Sequence, residues 1–86
     1  MVVQVTKTDI KRHVRHDELK SCVGFGLVRA AREQGVLLDG PVRVGYDCVQ
    51  VGDHTLHLPK RATDALYALD AGFPEYVKPF SFEVQQ

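Results

Sequence analysis

The sequence predicts an α+β fold, a two-layer sandwich in which helices cover one face of a mainly antiparallel sheet of about four strands. Short runs rich in β-branched residues alternate with segments of helical periodicity, and a Gly-Asp pair separates two of the runs. The predicted order of elements is β-α-α-β-β-α-β. With 86 residues, the chain is expected to form one small domain, residues 1–86.

The first strand and helix follow from VVQV and the TKTD after it. The valines favour a strand that ends at Thr6. Thr6 and Asp9 have the spacing of a capping arrangement, so a helix is predicted from Lys7 to about Val14. Ile10 and Val14 are four residues apart and are expected to pack inward together.

The second helix is predicted over residues 22–34, with Ser21 as its N-cap and Gly35 as the glycine that ends it. The two glycines of its GFG stretch should each cost about 1 kcal/mol relative to alanine. These glycines are therefore expected to have a packing role, most simply to allow the close approach of another backbone, from the sheet or from a second subunit. The polar side chains of this helix are expected to face water: Arg29, Arg32 and Glu33.

The central segment is predicted to form a β-hairpin, in which Gly52-Asp53 joins the runs PVRVGYDCVQV and HTLHL. This turn would place Val51 opposite His54. The apolar alternation of the first run changes face midway, so either both faces are partly covered or the strand contains a bulge near Gly45 or Asp47. The bulge is the favoured interpretation.

KRATDALYALDAG is the clearest helix of the chain, with Pro59 at its first position and Gly72 at its end. Its apolar residues repeat at helical spacing and are expected to be buried: Ala62, Ala65, Leu66 and Leu69. FPEYVKP is then a proline-bounded connection, and FSFEV alternates as the last strand.

Composition argues against two broad classes of protein. The 11 Lys+Arg residues balance 11 Asp+Glu residues, so the basic excess of a dedicated nucleic-acid binder is absent. No apolar run approaches the roughly 18–20 residues that cross a bilayer, and the N-terminus lacks the layout of a signal peptide, so no membrane association and a cytoplasmic location are expected. The two cysteines are expected to remain free thiols.

Short motifs extend along most of the chain: V-T-x-x-D-I, a cysteine that opens the second helix, V-x-V-G, L-P, LDAG-x-P and V-x-P-F-S-F-E. They occupy Val5, Thr6, Asp9, Ile10, Cys22, Val42, Val44, Gly45, Leu58, Pro59, Leu69–Gly72, Pro74, Val77 and Pro79–Glu83. On these motifs the chain resembles a group of small proteins encoded by bacteriophages and prophages, especially those of actinobacteria. Many of those proteins have a proline after the cysteine, where this chain has Val23.

The resemblance implies a phage origin and no activity, because the group has no assigned activity. It favours an accessory protein expressed during infection, and such proteins often bind a macromolecule of the host or phage.

KRHVRHDELKSC is the densest group of chemistry-bearing side chains. His13 and His16, with Asp17 or Cys22, have a conceivable ligand spacing, but no CxxC, HExxH or second ligand pair completes a tetrahedral set. Neither a metal nor another cofactor is therefore expected. Cys22 at a helix N-terminus is the one candidate nucleophile, but a buried thiol is the favoured interpretation, and no enzymatic activity is predicted.

Binding to a host or phage protein is the leading hypothesis, and a homodimer is a further expectation. The predicted contacts are three aromatic anchors and three steering charges: Tyr67, Phe73, Tyr76, Arg12, Arg15 and Arg61. The alternative is weak nucleic-acid binding by the basic first helix and its surroundings: Lys7, Lys11, Arg12, Arg15 and Lys20. Interleaved acidic residues and the lack of a recognisable helix-turn-helix or stacking platform count against that alternative.

Overall fold

The computed structural model describes residues 1–84 and shows a small α+β protein with antiparallel strand pairing, which confirms the predicted class. Its elements, in chain order, are β1 (Val2–Val5), α1 (Lys7–Arg12), α2 (Cys22–Glu33), β2 (Val42–Val44), β3 (Cys48–Val51), β4 (His54–His57), α3 (Lys60–Asp70) and β5 (Phe80–Glu83). A 3-10 turn, Pro74–Tyr76, lies between α3 and β5.

The strands divide between two antiparallel sheets instead of forming the predicted single sheet of about four. The first and last strands of the chain form one sheet, in which Val3 pairs with Phe82. The second sheet has the order β2-β3-β4. Its β3-β4 hairpin has the predicted register, with Val51 opposite His54.

The run PVRVGYDCVQV forms two strands, so the predicted bulge within one long strand is wrong. The chain reverses direction through residues 45–47, where the Gly45 N–H donates to the Cys48 carbonyl at 2.8 Å. The reversal places Val44 opposite Val49, and both are buried. The turn explains why the apolar alternation changes face midway along the run. The second half of the run forms a neighbouring strand, so apolar residues of both halves can face the core.

Helix α1 begins as predicted and ends two residues early. The Thr6 side chain accepts from the Asp9 N–H, and the Asp9 carboxylate accepts from the Thr6 N–H at 2.9 Å, which is a complete capping box. Ile10 is buried, but Val14 is 43% exposed, so the prediction that Val14 packs inward is wrong. His13 leaves the helical conformation at ψ 129°, and this turns Val14 away from the core.

Helix α2 packs against both sheets through its contacts with β1 and β2. Its N-cap is Ser21, as predicted, whose hydroxyl accepts from the Val23 N–H. The GFG stretch permits close approach to the sheet: a Cβ on Gly26 would lie 2.7 Å from the carbonyl oxygen of Gln4. Of the polar residues expected to face water, Arg29 instead binds the buried Asp9 carboxylate.

Helix α3 buries all four of its predicted core residues, Ala62, Ala65, Leu66 and Leu69. It ends before Gly72, which adopts φ 90°, a conformation that favours glycine. Within residues 1–84, no helix is long and apolar enough to span a bilayer.

Candidate functional site

The carboxylate of Asp70, the last residue of α3, holds three distant parts of the chain together. Its Oδ1 lies 2.8 Å from His13 Nε2 and also accepts from the His16 backbone N–H at 3.2 Å. Its Oδ2 accepts from the Tyr46 hydroxyl at 2.7 Å. The segment after α1 and the turn between β2 and β3 are thereby fixed to the end of α3.

These contacts also set the electrostatics of Asp70 and Tyr46. Burial raises the pKa of Asp70, but hydrogen bonds from His13, Tyr46 and the His16 backbone outweigh it and leave that pKa below its usual value. The bond to Asp70 raises the pKa of the Tyr46 hydroxyl. The pair is therefore held as a carboxylate and a neutral phenol near neutral pH.

The hydrogen bonds of His13 define its tautomer. Its Nδ1 accepts from the Cys22 backbone N–H at 3.1 Å, so the proton of the neutral ring lies on Nε2 and is donated to Asp70. One buried imidazole thus joins the N-terminus of α2 to the C-terminus of α3.

Arg15 binds the same end of α3 from the solvent side. Its Nε donates to the backbone carbonyl of Asp70 at 3.0 Å. A cation beside the last carbonyls of a helix satisfies a free acceptor and interacts favourably with the helix dipole. The segment that follows α1 is consequently anchored to Asp70 by two side chains, His13 at the carboxylate and Arg15 at the backbone carbonyl.

A cleft of about 640 Å³ lies between α1 and the segment that follows α3. Its apolar lining comes from α1, α3 and the proline-bounded connection: Ile10, Leu69, Pro74, Val77 and Pro79. This volume is within the range of sites that take small ligands or the side chains of a partner.

The charged side chains of this cleft are all cationic: Lys7, Lys11, Arg15 and Lys78. No carboxylate lines it, and none of the four cations forms an ion pair with a carboxylate of residues 1–84. His13 also lines the cleft. We call this feature the basic cleft.

An exposed aromatic pair adjoins the basic cleft. Phe73 and Tyr76 are 48% and 77% exposed, and their ring centroids are 5.8 Å apart. Gly72 and Pro74, on either side of Phe73, both line the cleft, as does Val77 after Tyr76. The pair is therefore next to the cleft along the chain, although neither ring lines it.

The other predicted contact residues lie outside the basic cleft, and most of them contact other parts of the chain. Tyr67 stacks on Tyr46, with ring centroids 4.3 Å apart. The Arg12 guanidinium lies 4.7 Å from the centroid of the Phe25 ring. Arg61 donates to the carbonyl of Ser81 in β5, and Lys20 is exposed in the segment between α1 and α2. Of the predicted cations, only Lys7, Lys11 and Arg15 come together.

A smaller hollow of about 240 Å³ lies beside the Asp70 network, and His13 lines both it and the basic cleft. Its other ionisable groups are three carboxylates, one imidazole and one phenol: Asp17, Glu18, Asp70, His16 and Tyr46. In the part of the chain from Met1 to Val84, no three His, Cys, Asp or Glu side chains are placed to hold a metal ion together.

The geometry at Cys22 opposes nucleophilic chemistry. Its side chain is fully buried, and burial raises the pKa of the thiol to about 12. His13 Nδ1 accepts a hydrogen bond from the backbone N–H of Cys22, not from its thiol. Cys22 is a core residue, as the favoured interpretation of the sequence had it.

Sequence reasoning missed Asp70, Tyr46 and Lys78 as parts of this region. One signal for Asp70 was available, because a carboxylate in the last turn of a helix is opposed by the helix dipole unless donors hold it. Its donors come from positions 13, 16 and 46, which no local pattern connects to it.

Comparison of the chain with protein-family models, with curated proteins and with solved structures found no match.

Proposed function

We propose that the protein is a non-catalytic accessory protein of phage origin that acts by binding a protein of the host or the phage. The carrying observation is the surface at the end of α3, where two exposed aromatic rings adjoin a mostly apolar cleft with an uncompensated positive rim. Aromatic side chains beside an apolar pocket are typical anchors of protein interfaces.

The rigidity of this surface supports the proposal. His13 and Arg15 fix the segment after α1 to Asp70, so one wall of the cleft is already ordered. Binding of a partner would therefore cost less conformational entropy than it would if this segment had first to become ordered. Phage origin is supported by the motif resemblance, and the cytoplasm of the infected cell is the location included in the proposal.

The proposal is tested by co-purification. The tagged protein would be expressed in an actinobacterial host without nuclease treatment, and co-purifying proteins identified by mass spectrometry. We expect one protein at near-stoichiometric yield, and its loss from the Phe73→Ala/Tyr76→Ala variant. Leu37→Ala, a change at another exposed apolar residue, serves as the matched control. Retention of the partner by the double variant would contradict the assignment of this surface.

A homodimer is a further part of the proposal, since a chain of this size buries limited surface by itself. Sedimentation equilibrium over a hundredfold range of concentration would measure it. A constant mass near 9.6 kDa would exclude the dimer under those conditions.

Nucleic-acid binding is the second candidate, favoured by the convergence of Lys7, Lys11 and Arg15 on one cleft. It predicts binding to DNA or RNA that weakens steeply with salt and drops in the Lys7→Ala/Lys11→Ala variant. Abundant absorbance at 260 nm in the purified sample, without a protein partner, would favour it over the first proposal.

A further inference from the structure

Positive charge is concentrated in the basic cleft of a protein whose formal net charge is zero. Three cations outside the cleft have a carboxylate partner: Arg29 binds Asp9, Arg43 binds Glu18 and Lys60 binds Asp64. Four others outside it have none within residues 1–84, but they do not line one common opening: Arg12, Lys20, Arg32 and Arg61. The four cleft cations have none within residues 1–84. Like charges around one opening repel one another, so an anionic ligand gains more at this site than elsewhere on the surface.

The floor of the basic cleft selects among anionic ligands. It is formed by aliphatic and proline side chains, among them Ile10, Leu69 and Val77. An apolar side chain that enters would be removed from water against this floor, which is favourable in proportion to the area buried. No Phe, Tyr or Trp ring of residues 1–84 lines the cleft itself, and such rings are the usual platform on which single-stranded nucleic acids stack their bases.

We infer that the basic cleft is the docking site for an acidic peptide segment: a large apolar side chain enters the cleft and flanking aspartates or glutamates meet its cationic rim. This inference rests on the proposed function and adds the chemistry of the partner. Phe73 and Tyr76 extend the contact beyond the cleft, because the residues beside them line it.

The four charges differ in their role. Arg15 also holds the Asp70 carbonyl, so its replacement would alter the wall of the cleft as well as the charge. Lys11 and Lys78 are exposed and lack such a contact among the described residues. Reversing the charge at these two positions therefore removes no side-chain hydrogen bond or ion pair of residues 1–84.

The test begins with selection from a display library of random 16-residue peptides on the immobilised full-length protein. Enriched sequences are expected to carry a large apolar residue flanked by Asp or Glu. Synthetic peptides of the enriched sequence would be compared by fluorescence anisotropy with versions in which every acidic residue is replaced by its amide. The Lys11→Glu/Lys78→Glu variant should weaken binding of the acidic peptide at least about tenfold, and the amide peptide should bind both proteins equally weakly.

Lys60→Glu is the matched control, since Lys60 lies at the opposite end of α3, roughly 15 Å along the helix axis. It should leave the affinity for the acidic peptide unchanged. Binding of the acidic peptide that is indifferent to the Lys11→Glu/Lys78→Glu change would overturn the inference, as would enrichment of neutral peptides or of none.

Two further outcomes separate this inference from the function on which it rests. Neutral peptides that are lost with Phe73→Ala/Tyr76→Ala would leave protein binding in place and remove the acidic specificity. A fluorescein-labelled single-stranded 20-mer that binds more tightly than every selected peptide would overturn both, and would assign the cleft to nucleic acid.

Discussion

His13 and Asp70 are 57 positions apart in the chain, and the Nε2 of His13 lies 2.8 Å from the Oδ1 of Asp70. The other nitrogen of the same ring accepts the backbone N–H of Cys22. This imidazole is therefore a bridge between the ends of two helices. It also positions the wall of the basic cleft, because the segment that it anchors carries Arg15.

Replacement of His13 by alanine should destabilise the protein by about 1–3 kcal/mol, since it leaves the Cys22 N–H without its acceptor and removes one of the two hydrogen bonds to Asp70 Oδ1 in a part-buried region. Urea denaturation followed by circular dichroism would measure the change. His57→Ala, at an exposed position of β4, is the control and should remain within about 0.5 kcal/mol of the wild type. Equal stability of the two variants would show that the bridge contributes nothing measurable.

Gly26→Ala should destabilise the protein although alanine is the better helix former. Its Cβ would lie 2.7 Å from the Gln4 carbonyl oxygen, so α2 and β1 must move apart, at a cost of roughly 1–3 kcal/mol. Gly24→Ala is the matched comparison in the same helix, because its Cβ would meet only valine methyl groups, at 3.3 Å and 3.7 Å. The midpoint of urea unfolding should fall clearly more for Gly26→Ala, and the reverse order would argue against this packing of α2.

Stability should decrease on acidification because of the buried Asp9. Burial raises the pKa of Asp9, but hydrogen bonds from Arg29 and Thr6 outweigh it and leave that pKa below its ordinary value of 3.8. A lowered folded-state pKa means that the stabilisation is present above the unfolded value and is lost as the pH falls through the folded value. The decline should therefore begin near pH 5 and continue below pH 3.8.

Urea midpoints measured between pH 7 and pH 2.5 would test the role of Asp9. Asp9→Asn should be less stable than the wild type at pH 7 and should lose less stability on acidification, because it has no carboxylate to protonate. Asp53→Asn, in the exposed turn between β3 and β4, should keep the wild-type decline. A parallel decline in Asp9→Asn and the wild type would assign the acid sensitivity to other groups.

Cys22 should be unreactive toward a thiol reagent in the folded protein. With a pKa of about 12, only about one thiol in ten thousand is ionised at pH 8, and the side chain is fully buried. In the Cys48→Ser variant, reaction with Ellman's reagent should proceed at the rate of unfolding. Cys22→Ala leaves the partly exposed Cys48 and should react faster; equally fast reaction of Cys22 would contradict its burial.

Patterns that span three or four residues predicted much of the fold. The capping box of Thr6 and Asp9, the Ser21 N-cap, the register around Gly52 and the buried face of α3 all have the geometry that their spacing indicated. Each of these features depends on hydrogen bonds or side-chain periodicity within one element or one turn. Such information is present in the local sequence.

The errors arose where a local pattern admits two solutions. The change of face around Gly45 is satisfied by a bulge or by a reversal of the chain, and the choice depends on which partner strand covers Cys48–Val51. Val14 has helical spacing from Ile10, but the helix ends at Arg12 because His13 turns toward Asp70 and Cys22.

By itself the sequence determined the α+β class, most element boundaries, the balance of charge and the basic character of the first helix. Only the tertiary structure decided that Lys7, Lys11 and Arg15 meet Lys78 around one aliphatic cleft, while Arg12 covers Phe25 and Arg61 reaches Ser81. The physical reason is the distance in sequence over which each kind of interaction acts. Helix and strand periodicity are set by neighbours a few residues away, whereas this surface depends on contacts between α1 and the end of α3, which packing of the whole chain brings together.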